Sequence, residues 1–204
     1  MSRQNADIID LLAGIAPGSA SARVRDQRAQ ARENAQLSFE ALLEPVDEGT
    51  FPLSERYAVA AFTARLHGFD EAVRFYADLL SDEAPELADV VDAAAASGAT
   101  TGPYGAYREP ALGSESVAGL VWTADAQALG VRLAAALTHT HLLVFRPRES
   151  GPEAVRALVD AGWSADDIVK LSQLVAFLAF QLRTAWGLRV LAQNPSATTE
   201  GAVR

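Results

Sequence analysis

The chain has 204 residues, half of them apolar, no cysteine, and a formal net charge of −9. That length supports one sizeable core and does not demand two. The negative charge argues against a nucleic-acid partner, because phosphate recognition draws on a basic patch, and the missing cysteines exclude disulfides and thiolate metal sites.

The start, MSRQNADIIDLL, has an acidic residue inside its apolar stretch and lacks a signal-peptide layout. The most hydrophobic run, Leu174–Phe180, is seven residues long, against the ~20 needed to span a bilayer. The expectation is a soluble, cytoplasmic protein with no membrane partner.

Apolar residues recur mostly at three- and four-residue spacing, so the fold class is all-α, with roughly eight helices. Asp7 to Ile15 reads as a short helix stopped by Pro17-Gly18, and Ala22 to Leu43 as a longer one stopped before Pro45. In the latter, Arg23, Arg25, Arg28 and Arg32 alternate with Asp26, Gln27 and Glu33, which reads as a solvated face rather than an anion site. The next helix opens at Leu53-Ser54-Glu55, with Ser54 as N-cap, and Gly68 interrupts it. Glu71 to Leu80 and the Ala-rich Glu83 to Ser97 follow. Gly98 to Gly113 breaks the pattern with four glycines, two prolines and two tyrosines. Long loops often carry function, and a bare connector fits as well. Gly102-Pro103-Tyr104-Gly105 is no phosphate loop, lacking a Gly-Lys-Ser/Thr ending and a preceding strand. Ala124 to His141 and Pro152 to Ala161 are further helices, the latter with Pro152 in its first turn. Ser164 and Asp167 have capping-box spacing. From Ala165 to about Ala192 the chain reads as one long helix, apolar over more than one face, as expected of a central helix or one shared with a second subunit.

The organisation is one domain over residues 1–204: an N-terminal helical extension (1–50), a first helical unit (51–97), an irregular linker (98–114), a second helical unit (115–193) and a disordered tail (194–204). Laying Ala58–His67 on Gly130–His139 pairs Val59 with Val131, Ala64 with Ala136 and His67 with His139. That alignment suggests an internal pseudo-twofold repeat.

The segment PLSERYAVAAFTARLHGFDEAVRFYADLL resembles the core helix pair of the carboxymuconolactone decarboxylase and AhpD-like alkylhydroperoxidase superfamily. The run ALVDAGWSADDIVKLSQLVAFLAFQLRTAWGLRVL resembles that family's turn and long closing helix. The resemblance implies an AhpD-like helical domain forming a homo-oligomer, a trimer or hexamer. The family's reactive positions are all changed here. Its relay glutamate falls near Tyr57, with Glu55 out of register; its two cysteines fall on Phe69 and Ala72, and the following histidine on Tyr76. Phe, Ala and Tyr cannot form a thiolate or resolve a sulfenic acid, so thiol-peroxidase activity is excluded. The chain resembles the Cys-less branch of CMD-domain proteins, which implies a non-redox binding or scaffold role, with a cysteine-containing relative as a conceivable partner.

The alternative is a cofactor-independent decarboxylase or isomerase. His139 and His141 are then the candidate catalytic residues for proton transfer, with no metal or other cofactor. The plainer reading makes Thr138-His139-Thr140-His141 a polar helix end, with protonated histidine favoured by the helix dipole. A His-x-His pair binds metal only with a third ligand, and on a regular helix residues two apart point about 200° from each other; His67 is the one further histidine. Tyr57, His67, Phe69, Ala72, Tyr76 and Trp122 are the candidate ligand-pocket positions, with core packing as the plainer account of the aromatics.

Overall fold

In a computed structural model, residues 7–194 are described. Among them the chain forms ten α-helices, two short 3₁₀ segments and no strand beyond one isolated antiparallel bridge between Gly105 and Val117. The all-α expectation holds. Apart from Asn194, the tail expected to be disordered lies outside the described residues. Two compact units emerge, one from residues 7–46 with 180–194 and one from residues 47–179.

The first unit contains α1 (Ile8–Ala13), α2 (Ala20–Asp26) and α3 (Ala29–Leu43). The single helix expected over Ala22 to Leu43 is broken, because Arg28 takes a non-helical backbone at φ −122°, ψ 49°. Ion pairing gives a reason. Arg25 pairs with Asp7 and lies 2.5 Å from Asp10, while Arg32 pairs with the same two aspartates and lies 2.7 Å from Asp26. On an unbroken helix, residues seven apart stand about 10 Å apart along the axis; the break lets both guanidinium groups grip one acid pair. Arg25 is thus buried at 8% exposure, which corrects its reading as part of a solvated face.

The second unit contains α4 (Leu53–His67), α5 (Asp70–Glu83), α6 (Pro85–Ser97), α7 (Ala126–Leu129), α8 (Val131–Phe145) and α9 (Pro152–Asp160). Helix α4 is its centre: every residue from Arg56 to Ala64 is buried, and α5, α6 and α8 all pack on it. Four alanines in that stretch keep its surface shallow, so neighbours approach closely around Phe62. Ser54 is not the N-cap. Pro52 holds that place, and the Leu53 amide donates instead to Glu48 Oε2 at 2.9 Å, so a carboxylate from the preceding turn satisfies the free donor. The helix expected over Ala124 to His141 is also two, broken at Gly130, whose φ of +76° is open to glycine and strained for other residues.

Helix α10 (Ala165–Gln193) runs 29 residues. Its start makes one half of the expected capping box: the Asp167 amide donates to Ser164 Oγ at 3.1 Å, while the Ser164 hydroxyl, in place of its backbone amide, donates to Asp167 Oδ2 at 2.8 Å. By length and composition it could cross a membrane, which counting the run Leu174–Phe180 alone did not reveal. Core helices pass the same test, and Leu171, Leu174, Val175 and Leu178 are buried.

Candidate functional site

Ala135, His139, Leu142 and Arg146 succeed one another at three- and four-residue spacing along α8 and its end, with Thr138 three after Ala135 and four before Leu142, and so share one face. They line a pocket of about 370 Å³ within the second unit, inside the range of roughly 300–1,000 Å³ usual for small-molecule sites. Trp122 and Ala124, from the segment leading into α7, and Ala154 and Ala157 of α9 complete its walls.

The two histidines are not a polar helix end. Both lie inside α8 and both are buried. His139 is 5% exposed, and its Nδ1 is buried without a hydrogen-bond partner among the described residues. Burial lowers its pKa below the ordinary value of 6.5, so the ring is neutral near pH 7. His141 is also pushed down, by burial first, partly offset by its bond to Gly98 and reinforced by the Arg146 charge. Burial thus favours the neutral ring over the protonated imidazole that a polar helix end would carry.

Aromatic packing holds His141 at the flank of the pocket. Its ring centroid lies 5.1 Å from that of Trp122 and 4.9 Å from that of Phe145, and Trp122 stacks on Phe62 at 5.3 Å. Trp122 Nε1 donates to Ser97 Oγ at 3.0 Å. Thr138 Oγ1 donates to the Ala134 carbonyl at 2.8 Å and accepts from the Ala124 amide at 3.0 Å, which pins the pocket wall to α8. The irregular stretch after α6 is likewise no bare connector. The Tyr104 amide donates to the Phe145 carbonyl at 2.6 Å, the Ala106 amide to Glu149 at 3.1 Å, and Arg108 to the Ser150 carbonyl at 3.1 Å.

Of the expected pocket positions, only Trp122 joins His139 and His141 there. Tyr57, Phe69, Ala72 and Tyr76 are buried in the second unit, and none lines this pocket. His67 is the last residue of α4, capped by Gly68, whereas its proposed repeat mate His139 sits in mid-helix. Among the described residues no group of three His, Cys, Asp or Glu side chains is placed to hold a metal ion.

No family model, no curated protein and no solved structure matches this chain. The pocket has to be judged on its own chemistry: an apolar hollow, one aromatic wall, and one neutral imidazole with a buried nitrogen left unpaired.

A second polar cluster in the same unit is structural. Arg132 Nε donates to both Glu55 oxygens at 2.9 and 3.2 Å, and its other nitrogens donate to the carbonyls of Gly162 and Thr50, each at 2.8 Å. The same guanidinium lies 4.1 Å from the Trp163 ring centroid. Asp167 is 1% exposed and accepts from Thr50 Oγ1 at 2.5 Å. Burial would raise the Asp167 pKa, but the Thr50 and Ser164 hydrogen bonds, with the Lys170 and Arg132 charges, hold it below the ordinary carboxylate value. Glu55 goes the other way, raised by burial more than Arg132 lowers it. Thr138, Leu142 and Arg146 also line the hollow and were not placed there from the sequence; the three- and seven-residue spacing of Leu142 and Arg146 from His139 was the available signal.

Proposed function

We propose that this chain is a non-redox binding protein whose pocket beside α8 takes a small, largely apolar molecule. The observation that carries the reading is the hollow of about 370 Å³ beside α8, walled by Trp122, Ala135, Leu142, Ala154 and Ala157, with His139 and His141 among its lining. An apolar pocket with a small number of polar groups matches the usual composition of small-molecule sites. The AhpD-like resemblance belongs to the same reading: a member without cysteine, its thiol chemistry gone, retained for binding and assembled as a homo-oligomer.

The test is a titration with naphthalene followed by NMR of methyl-labelled alanine. Saturable shifts should concentrate at Ala135, Ala154 and Ala157 and vanish in Ala135→Phe, which fills the hollow at a half-exposed site. Shifts scattered over the surface, or none, would refute the reading.

A second reading rests on the neutrality of His139. An imidazole whose pKa lies below 6.5 stands ready as a base at neutral pH, so cofactor-independent proton transfer on a bound carbon acid or enol is chemically open. It requires that His139→Gln remove turnover while leaving naphthalene binding intact.

A further inference from the structure

We infer that a groove in the first unit docks a basic amphipathic helix of a partner protein. This stands on α1, α2 and α3 alone and does not depend on the pocket beside α8. The groove holds about 1030 Å³, at the upper limit of the roughly 300–1,000 Å³ usual for small molecules. Leu11, Ile15 and Leu37 line it, and Leu11 and Leu37 are 52% and 53% exposed. Single exposed leucines are ordinary. Two lining one concavity, from α1 and α3, make a seat for the apolar side chains of a partner. The walls are already fixed: the Ile8 amide donates to Gln36 Oε1 at 2.9 Å, and Arg32 of α3 pairs with Asp7 and Asp10 at α1. A groove held in place before binding loses little freedom when it is filled.

Charge chooses the occupant. Asp7, Asp10, Asp26, Glu33 and Glu40 line the groove against a single arginine, Arg32. Arg32 is spent on the three aspartates, and Arg25 behind it on Asp7 and Asp10. Arg23 donates to the Gly18 carbonyl at 2.7 Å. Glu33 and Glu40 keep no cationic partner among the described residues; Glu40 accepts from Gln36 Nε2, a neutral donor, at 3.0 Å. The two glutamates stand four residues before Leu37 and three after it, so the three share one face of α3, with about 10 Å between the acids along the axis. The complementary helix carries two cations seven residues apart with leucine between them. Lying along α3, it sets its apolar stripe on Leu11 and Leu37 and its cations on Glu33 and Glu40, the helix-in-groove mode of recognition. The same carboxylates turn away nucleic acid and anionic membrane, and a second copy of this chain arrives with a net charge of −9, which repels it.

The probe is a fluorescein-labelled peptide of three KAALLAA repeats, titrated by anisotropy at low salt beside its counterparts built from EAALLAA and KAASSAA. The lysine–leucine peptide should bind saturably, and the other two about tenfold or more weaker, since each lacks either the charge or the apolar stripe. Glu33→Gln/Glu40→Gln should weaken the first peptide by about tenfold, as two exposed ion pairs are lost, and should reduce its sensitivity to salt. Leu37→Ser should weaken it by a similar factor. No binding of the lysine–leucine peptide, equal binding of the glutamate peptide, or binding untouched by both variants overturns the inference. A dimer of the protein alone that Leu37→Ser dissolves also overturns it, because a second copy then fills the groove. Should a variant not fold, the wild-type protein answers instead: peptide-induced amide shifts should concentrate on α1 and α3, and shifts centred elsewhere overturn the docking.

Discussion

His141 Nε2 donates to the carbonyl of Gly98 at 2.9 Å, and this one bond ties the interior of α8 to the residue that ends α6. A carbonyl can only accept, so the proton of neutral His141 rests on Nε2. The joint is tight: a Cβ on Gly98 would come within 3.1 Å of His141 Cδ2 and 3.3 Å of the Trp122 ring. His141→Ala removes both the bond and the ring between Trp122 and Phe145. It should cost about 2–4 kcal/mol in urea unfolding, as buried truncations with a lost partner do. His141→Gln keeps a donor and should cost clearly less.

Acid should destabilise the protein earlier than its carboxylates alone would suggest. His139 and His141 have folded pKa values below 6.5 because they are buried, while the unfolded chain protonates near that value. Below about 6.5 the unfolded state then binds more protons, so stability is present above that pH and is lost as pH falls through the folded values. Glu55, raised above 4.5, acts with opposite sign, its contribution being lost as pH rises through its folded value. Calorimetric Tm should fall between pH 7 and pH 5, and the His139→Phe/His141→Gln double variant should flatten that slope. An unchanged slope would show that burial of these rings is not its source.

Arg132 is not replaceable by lysine. Its planar fork reaches Glu55, Thr50 and Gly162 while stacking on Trp163, and a single ammonium cannot do all of this. Arg132→Lys should lower stability by about 1–3 kcal/mol. A double-mutant cycle with Glu55→Gln should show coupling between the two sites; simple additivity would mean that the pair contributes little.

Gly119→Ala should dislodge Tyr104. The added methyl would sit 2.0 Å from Tyr104 Cγ, so the ring must leave, and with it the Thr100 Oγ1–Tyr104 hydroxyl bond of 3.1 Å. We expect a loss of about 1–3 kcal/mol, as for other overpacked sites, and faster amide exchange at Tyr104 and Gly105. Unchanged exchange would mean that the segment is held elsewhere.

In the first unit, Asp10→Ala should free α1 locally. Arg25, 8% exposed, would keep Asp7 but lose the partner 2.5 Å away. Breaking a buried pair on one side costs about 3–5 kcal/mol. Hydrogen exchange over Ile9 to Leu12 should rise by at least two orders of magnitude on that basis.

The helical class, the ends at Gly68 and Ser97, the first-turn Pro152 and the Ser164–Asp167 start of the long helix were legible because each is a local signal. What was not legible depends on distant partners. The break at Arg28 follows from Asp7 and Asp10 reaching two arginines, and Ser54 loses the cap to Glu48. Both choices look equal in a local window. Gly130 was readable as a break, but the apolar spacing on either side of it runs on and masked it. For the site, the sequence offered Trp122 as a ligand-pocket position and His139 and His141 as separate proton-transfer candidates; the three line one hollow, and the histidines are buried inside α8 rather than set at a polar helix end. Sequence spacing gives the face on which His139 lies, but not its burial, and burial decides its charge. The aromatic positions implied by family resemblance fall instead in the core, where their size alone accounts for them.

The three tryptophans occupy three unlike surroundings: Trp163 is 2% exposed, Trp186 is 58% exposed, and Trp122 stands half-covered at the pocket wall. The protein therefore carries its own optical gauge. Emission from Trp163 should lie to the blue and that of Trp186 to the red, each quenched differently by iodide, and a molecule entering the pocket should alter the Trp122 component alone. Occupancy can be read from light, with no label attached.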